Sequence, residues 1–305
     1  MASEIPGMFQ KGLELPGMRT EFEEAPLVIA GVPLEYRPSF RSGCHLAPPR
    51  IRENLYFIEC ISPFTGHDLL LDTRFHDLGD MILDASTVEK QHAMIEETVS
   101  AVLARGKKIG LMGGDHSILL PGFNALKKTT PDAVLVVFDA HLDLRPSYGG
   151  AKLSHACVLR RVLEKHPDTP VLHIGSRVTV KEEEDIIESF PGELVILDAI
   201  DFNTMETKSL REKVSRFFEN YHGKNVHISF DMDCYDPSAA PGVTAPDFPG
   251  LTAFQALQAL QWVKGEIASF DVSEFTPAWD ANGITAVLAA KTFNELMIRS
   301  QHPSG

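Results

Sequence analysis

The sequence is organised around one stretch near the middle of the chain, Val136-Val137-Phe138-Asp139-Ala140-His141-Leu142-Asp143. An apolar, β-branched run of this kind is typical of a buried strand. If the extended conformation persists through Asp143, the three polar side chains lie close together, because alternate residues of a strand share a face. The stretch therefore indicates metal chelation, although a solvated loop after a strand can also carry Asp residues.

A second apolar run ends in carboxylates in the same way, His227-Ile228-Ser229-Phe230-Asp231-Met232-Asp233. The turn at Asp236-Pro237 then stops this strand. Four carboxylates at two neighbouring strand ends repel one another unless cations compensate them. The two segments together therefore favour a metal site.

A third segment, residues 110–117, reads Gly-Leu-Met-Gly-Gly-Asp-His-Ser. Its paired glycines permit a tight turn and close packing against a sheet. A phosphate-binding turn is the alternative, but the segment lacks both the GxGxxG pattern and a Lys-Ser/Thr pair. We interpret it as a strand end that presents His116.

Short β-branched runs alternate with helical patterns along the rest of the chain. Strands are predicted at residues 27–32, 74–78, 108–112, 133–138, 171–174, 194–197, 225–230 and 267–270, and helices at residues 87–105, 155–165, 181–189, 209–222, 253–263 and 283–299. This alternation predicts a three-layer αβα sandwich with a mainly parallel central sheet. Without repeats or linkers, residues 1–305 are expected to form a single domain.

The polar residues of the three segments, and Glu274 after a fourth run, follow the ends of predicted strands. In open α/β sheets the carboxyl ends of the strands form the ligand crevice. We therefore expect four strands to deliver carboxylates or imidazoles to one edge of the sheet.

Composition narrows the classes of function. A formal net charge of −14 disfavours nucleic-acid binding and suits a cationic small molecule. No apolar run approaches the ~20 residues of a membrane helix, and the amino terminus has no secretory pattern, so a cytoplasmic protein is expected. The four scattered cysteines show no CxxC spacing, which predicts free thiols rather than a zinc knuckle or disulfides.

Taken together, the three segments, Ser154-His155 and the stretch at residues 271–277 (Asp-Val-Ser-Glu-Phe-Thr-Pro) resemble the signatures of the ureohydrolase family, which includes arginases and agmatinases. The resemblance covers residues 25–300. It implies an arginase-like fold, two Mn²⁺ ions per chain, and a homo-trimer or homo-hexamer.

The resemblance also implies a ligand set. The first ion would be held by His116, Asp139, Asp143 and Asp231, and the second by Asp139, His141, Asp231 and Asp233. Two imidazoles and four carboxylates form a hard, oxygen-rich set that suits Mn²⁺, whereas the absence of thiolates gives Zn²⁺ no advantage. Mg²⁺ is less suited, because it rarely takes imidazole ligands.

Three residues acquire catalytic roles from the same resemblance. Asp143 would accept a hydrogen bond from the attacking nucleophile, and His155 would deliver a proton to the departing amine. Glu274 would hold the guanidinium by charge-assisted hydrogen bonds. The alternatives are a surface histidine and an exposed loop glutamate. The remaining histidines receive no role: His45, His67, His76, His92, His166, His173, His222, His227 and His302.

Substrate identity depends on the segment Gly150-Ala151-Lys152-Leu153-Ser154-His155-Ala156. Arginases resemble one another in a Ser-Gly-Asn-x-His-Gly stretch, and this chain lacks the Asn expected to contact an α-carboxylate. The segment is more similar to agmatinases, although Ala156 replaces their usual Gly. Agmatine, cleaved to putrescine and urea, is therefore the expected substrate, with Arg160 and Arg161 as possible donors to a carboxylate.

The sequence is also compatible with other functions. Within the family they are an arginase, a guanidinobutyrase or a formiminoglutamase. A histone deacetylase-like hydrolase would share a related fold but use one zinc ion. A noncatalytic relative would require the loss of a ligand, and all six ligand positions are filled.

Overall fold

The computed structural model describes residues 5–13, 20–83 and 87–303. Its nine strands are β1 (Phe9–Gln10), β2 (Leu27–Gly31), β3 (Phe75–Met81), β4 (Lys108–Met112), β5 (Val134–Phe138), β6 (Val171–Ile174), β7 (Leu194–Leu197), β8 (Asn225–Asp231) and β9 (Glu266–Ser273). They form one sheet in the order β1-β3-β2-β4-β9-β8-β5-β6-β7. β1 is antiparallel to β3, and every other pairing is parallel.

The helices are α1 (Ala47–Phe57), α2 (Leu69–Asp72), α3 (Val88–Leu103), α4 (Leu119–Thr129), α5 (Val158–Lys165), α6 (Lys181–Ser189), α7 (Ala199–Thr204), α8 (Thr207–Glu219), α9 (Ala253–Trp262) and α10 (Ile284–Gln301). The described loops contain five short 3-10 helices, at Cys44–Leu46, His116–Ile118, His155–Cys157, Met232–Cys234 and Pro277–Trp279. In the described parts of the chain, no helix is long and apolar enough to cross a bilayer.

Strand β5 shows how the layers form. Val134, Val136 and Phe138 pack into a core with α8, α9 and α10, whereas Leu135 and Val137 pack with α4 and α5 on the opposite face. Both faces are covered because alternate side chains of a strand point in opposite directions and all of these are apolar. The αβα sandwich with a mainly parallel sheet, predicted from the alternating pattern, is confirmed.

The elements that the sequence patterns missed are β1, α1, α2, α4 and α7. Two of them contain residues that normally end helices. Pro48 and Pro49 lie in the first turn of α1, and Pro121 lies in the first turn of α4, where the backbone N–H has no partner within the helix. Proline is therefore tolerated at these positions.

Strands β4, β9, β8 and β5 are adjacent in the centre of the sheet. Because they are parallel, their carboxyl ends meet at one edge. The four cysteines, predicted to be free thiols, are free and buried.

Candidate metal centre

Three of the central strands end in the same local turn. Asp139 Oδ1 accepts a hydrogen bond from the backbone N–H of His141 at 2.6 Å, and Asp231 Oδ1 accepts one from the N–H of Asp233 at 2.7 Å. Asp115 Oδ1 accepts from the N–H two residues later in the same way. An aspartate that binds its own backbone two residues on ends the strand and starts a turn.

The first cluster surrounds His116. Its Nδ1 lies 2.9 Å from Asp139 Oδ2, 3.1 Å from Asp143 Oδ2 and 3.3 Å from Asp231 Oδ2. All four residues are buried. One imidazole nitrogen therefore faces oxygens of three carboxylates that come from two different strand ends.

The second cluster surrounds His141, whose Nδ1 lies 3.1 Å from Asp233 Oδ2 and 3.5 Å from Asp139 Oδ1. Asp139 thus lies between the two imidazoles. Two sets of ligand atoms fall within 4.8 Å of one another, His116 with Asp139 and Asp231, and Asp139 with His141 and Asp233. Asp139 belongs to both sets.

The extended conformation does not persist through Asp143. β5 ends at Phe138, and Asp143 adopts the left-handed region with φ of 53°. The chain turns back, so Asp143 reaches His116 from a loop. Glu274, directly after β9, also has a positive φ of 63°. Left-handed backbone costs about 1–3 kcal/mol for such residues and is concentrated at functional sites.

Burial of so many carboxylates perturbs their ionisation. Burial and the neighbouring charge of Asp139 raise the pKa of Asp143 to about 6. Burial, together with the charge of Asp233, holds the pKa of Asp231 well above its usual range. Although burial opposes protonation of His141, the carboxylates of Asp233 and Asp139 raise its pKa to about 12. The protein therefore concentrates negative charge that a cation would stabilise.

The donors fit a divalent metal. Asp139 Oδ2 is buried and, among the residues that the structure describes, finds no hydrogen-bond donor of suitable geometry. A buried carboxylate oxygen without a donor is costly unless it binds a cation. Carboxylate oxygens and imidazole nitrogens are ligands for Mn²⁺ and related ions, and no thiolate contributes to either set.

A cavity opens above the two clusters. The residues lining it include His141, Asp143, His155, Asp233 and Glu274. The two catalytic candidates from outside the clusters, His155 and Glu274, are both buried. The structure therefore brings all eight predicted site residues to one place, six in the clusters and two in the cavity wall.

Glu274 has one oxygen engaged and one unengaged. Its Oε1 accepts a hydrogen bond from the N–H of His116 at 2.7 Å, while Oε2 is buried without a donor from the described residues. Burial raises the pKa of this carboxyl to about 7, and the nearby imidazole of His155 opposes that rise. One carboxylate oxygen is thus held in place while the other remains able to bind a cationic group.

The glycines of the third segment serve close packing. A Cβ on Gly114 would lie 1.7 Å from the carbonyl oxygen of Leu34, and a Cβ on Gly113 would lie 2.9 Å from that of Val272. The backbone that follows β4 is therefore packed closely between the segment that follows β2 and strand β9. Asp115 has both oxygens occupied by backbone N–H groups, from Ser117 and Tyr36.

Arg145 is a residue of the cavity that the sequence patterns missed. Its guanidinium lies 4.0 Å from Glu182 and over the ring of Tyr148, which also lines the cavity. The sequence-based candidates for a carboxylate donor, Arg160 and Arg161, instead both bind Glu164, and neither is among the described residues that line the cavity. Its position two residues after Asp143 is the signal from which Arg145 could have been found.

Comparison with known proteins agrees with this geometry. Residues 25–299 match the family model described as the Arginase family. The chain belongs to the arginase family. An agmatinase of Bacillus subtilis is 31% identical over 92% of this chain and 93% of its own length, and a guanidinobutyrase of Pseudomonas aeruginosa is 29% identical over 93% and 90%. The crystal structure of an agmatine ureohydrolase of Thermoplasma volcanium superposes with a TM-score of 0.82 at 33% identity, covering 94% of each chain.

Family membership confirms the resemblance drawn from the three segments. It makes the chain an agmatinase-like amidinohydrolase, an enzyme that hydrolyses a carbon–nitrogen bond. The arginase-family fold implies a divalent metal site, and the two clusters around His116 and His141 provide candidate ligands for it.

Proposed function

We propose that this arginase-family enzyme is a binuclear manganese hydrolase that cleaves the guanidinium group of agmatine to putrescine and urea. The observation that carries the proposal is the pair of ligand sets that share Asp139 beneath the cavity. A shared carboxylate is the arrangement that two neighbouring cations require, because it compensates both charges at once.

Six residues would hold the ions. His116, Asp139, Asp143 and Asp231 would bind the first, and Asp139, His141, Asp231 and Asp233 the second. Asp139 and Asp231 would bridge the pair. Bound in this way, the ions supply a nucleophile by lowering the pKa of a water from ~15.7 towards ~7.

Glu274 would orient the substrate. A guanidinium is planar and offers paired N–H donors, which match a carboxylate with one unengaged oxygen. The backbone N–H of His116 fixes the other oxygen and so the direction of the carboxylate. A guanidinium bound there would also lower the raised pKa of Glu274, so binding and ionisation reinforce each other.

Asp143 and His155 would handle protons. Asp143 lies in the cavity beside the first cluster, where its carboxylate would accept a hydrogen bond from the attacking water. The departing amine leaves only when it is protonated. His155 is the imidazole of the cavity wall outside both clusters, and it would protonate the departing nitrogen of the substrate.

Agmatine is favoured over arginine by the chemistry of the cavity. Five carboxylate side chains line it, from Asp143, Glu183, Asp231, Asp233 and Glu274. An α-carboxylate would enter this acidic surface without the Asn donor of arginases, so the loss of its hydration would be poorly compensated. The similarity to agmatinases from Bacillus species supports the same choice.

A guanidino acid such as 4-guanidinobutyrate is the second candidate, and Arg145 is the observation that favours it. Arg145 lines the cavity and is 32% exposed at its side chain, so it is able to meet a substrate carboxylate. The guanidinobutyrase among the relatives supports this alternative.

The test combines metal analysis with a substrate screen. Protein purified with Mn²⁺ is expected to contain close to two ions per chain and to release urea from agmatine faster than from arginine or 4-guanidinobutyrate. A single zinc ion per chain would contradict the binuclear centre. Faster hydrolysis of 4-guanidinobutyrate would instead establish the second candidate, and equal or faster hydrolysis of arginine would overturn the choice of agmatine.

We further propose that residues 1–305 form a single ureohydrolase domain that assembles as a homo-trimer or homo-hexamer in the cytoplasm. All described strands belong to one sheet, which supports a single domain. Light scattering of the purified protein measures the assembly, and a monomer would contradict it.

A further inference from the structure

A row of buried polar side chains runs along the two central strands towards the metal centre. β8 and β9 are parallel neighbours, and each contributes every second residue to the row. The pairs are His227 with Ser269, Ser229 with Asp271, and Asp231 with Ser273. All six are buried. Strands covered on both faces are normally apolar, and burying a polar side chain costs free energy unless it is hydrogen-bonded. Six buried polar residues on these strands therefore indicate a function for the row.

A register shift aligns the row. Val226 pairs with Ile267, but the next residue, His227, pairs with Ser269, so Ala268 is the extra residue of β9. An extra residue changes which face the following side chains occupy. Ser269 and Asp271 therefore share a face with His227, whose ring packs against Phe123 of α4.

The directions of the hydrogen bonds in this row are determined by the chemistry of its members. Ser229 Oγ lies 2.7 Å from Asp271 Oδ1 and 3.0 Å from His116 Nε2. A carboxylate accepts, so the single hydroxyl proton of Ser229 is donated to Asp271. The oxygen of Ser229 is then left to accept from the Nε2–H of His116.

His227 supports the carboxylate from the other side. Its Nε2 lies 2.8 Å from Asp271 Oδ2, and its Nδ1 lies 2.7 Å from Ser269 Oγ. Asp271 thus receives a hydrogen bond at each oxygen although it is fully buried. This pairing holds the carboxylate in place and compensates the burial of its charge.

We propose that Ser229 and Asp271, supported by His227, are positioning residues that keep the proton of His116 on Nε2 and thereby present Nδ1 to a metal ion. The proposal rests on the proposed function, because it assumes an ion among Asp139, Asp143 and Asp231. With Nε2 donating to Ser229, the lone pair of Nδ1 faces those three carboxylates. Hydrogen bonds of this kind orient metal-binding histidines, and their loss weakens metal binding about 10- to 100-fold.

An isosteric pair of substitutions tests the proposal. Ser229→Thr keeps the hydroxyl, whereas Ser229→Val introduces a side chain of the same shape as Thr that lacks the hydroxyl. The control is Ser273→Val, because Ser273 lies on the same row, is equally buried, and has no hydrogen-bond partner at its hydroxyl among the described residues. Each protein is stripped with a chelator, checked for folding by circular dichroism, and titrated with Mn²⁺ by calorimetry.

Ser229→Val is expected to bind one of the two Mn²⁺ ions about 10- to 100-fold more weakly than Ser229→Thr, and Ser273→Val to bind both like the wild type. Equal affinity of the Thr and Val variants would overturn the positioning role, as would an equal loss in Ser273→Val. A wild type that binds fewer than two Mn²⁺ ions would contradict the binuclear function itself, independently of any variant. The readout is metal affinity, so it does not depend on turnover.

Discussion

The ends of β5 and β8 use the same turn to different effect. Each begins with an aspartate whose Oδ1 accepts a hydrogen bond from the backbone two residues later. After β8 the chain enters the 3-10 helix Met232–Cys234, and both Asp231 and Asp233 are buried. After β5 it enters a loop, in which the side chain of His141 is 29% exposed and Asp143 has a positive φ.

The difference separates two tasks. At the β8 end both aspartates are buried, and the row of buried polar residues on β8 and β9 lies next to them. This end is therefore suited to holding ions in fixed positions. The β5 end continues through Arg145 and Tyr148 to His155, all of which line the cavity. We infer that the β8 side fixes the metal centre and that the β5 side, together with Glu274 after β9, supplies the groups that meet the substrate.

The largest expected effect comes from the aspartates that begin the two turns. Asp139→Ala and Asp231→Ala should each lose both Mn²⁺ ions and reduce urea release by several orders of magnitude, because each is proposed to bridge the pair. Elemental analysis after dialysis measures the ions. Asp236→Ala is the control and should keep both ions, because Asp236 forms the same kind of turn with Ser238 but belongs to neither ligand set.

This experiment also tests the comparison of the two ends. Asp139 belongs to both ligand sets, whereas Asp231 belongs to the set around His116. If Asp231→Ala retains one ion per chain while Asp139→Ala retains none, the β5 aspartate alone bridges the ions, and the bridging role proposed for Asp231 is wrong.

The next effect concerns proton transfer from the β5 side. His155→Asn should lower turnover about 10²- to 10⁴-fold, because the departing amine loses its proton donor. Metal content should stay at the wild-type level, since His155 belongs to neither ligand set. Unchanged turnover would make His155 a structural residue, and loss of metal would make it a ligand.

Glu274, beside the β8 side, should show opposite effects on activity and stability. Glu274→Gln should lower turnover about 10²- to 10³-fold by weakening the grip on the guanidinium. Without metal, the native pKa of about 7 lies above the ordinary value of 4.5, so this group lowers stability as the pH rises from about 4.5 to about 7. The variant lacks that loss and should unfold at a higher temperature than the wild type at pH 8, but not at pH 5.

Glu295→Gln is the matched control for this prediction. Glu295 of α10 is also buried, and burial raises its pKa. It accepts a hydrogen bond from Ser62 and is not among the described residues that line the cavity. It should gain stability at high pH and keep its activity. If both variants lose activity alike, the effect of Glu274→Gln does not arise from the guanidinium.

The smallest effect is expected at Arg145. Arg145→Gln should shift the ratio of kcat/KM for agmatine over 4-guanidinobutyrate towards agmatine by up to about fivefold, because a partly exposed ion pair contributes about 0.2–1 kcal/mol. Arg161→Gln, which removes a partner of Glu164 outside the cavity lining, should leave the ratio unchanged. A changed ratio in Arg161→Gln with an unchanged ratio in Arg145→Gln would instead make Arg161 of α5 the residue that binds the substrate carboxylate.

Much of the site could be predicted because its residues are contiguous in short segments. Asp139, His141, Asp231 and Asp233 each follow an apolar run, and such runs form buried strands whose carboxyl ends meet at one edge of a parallel sheet. The left-handed φ of Asp143 could not be predicted in this way, because the path of the loop after β5 depends on the tertiary contacts of its side chains. Arg145 was missed because it lies in the same loop, where strand periodicity gives no information.

The sequence by itself determined the alternation of strands and helices, the ligand types at the strand ends and the family, because these depend on local periodicity and on residue chemistry. Only the tertiary structure decided which residues stand behind the site. His227, which received no role from the sequence, reaches Asp271 because β8 and β9 are neighbours and because one extra residue in β9 changes its face. Contacts between strands depend on sheet order and register, and neither is written in the periodicity of a single strand.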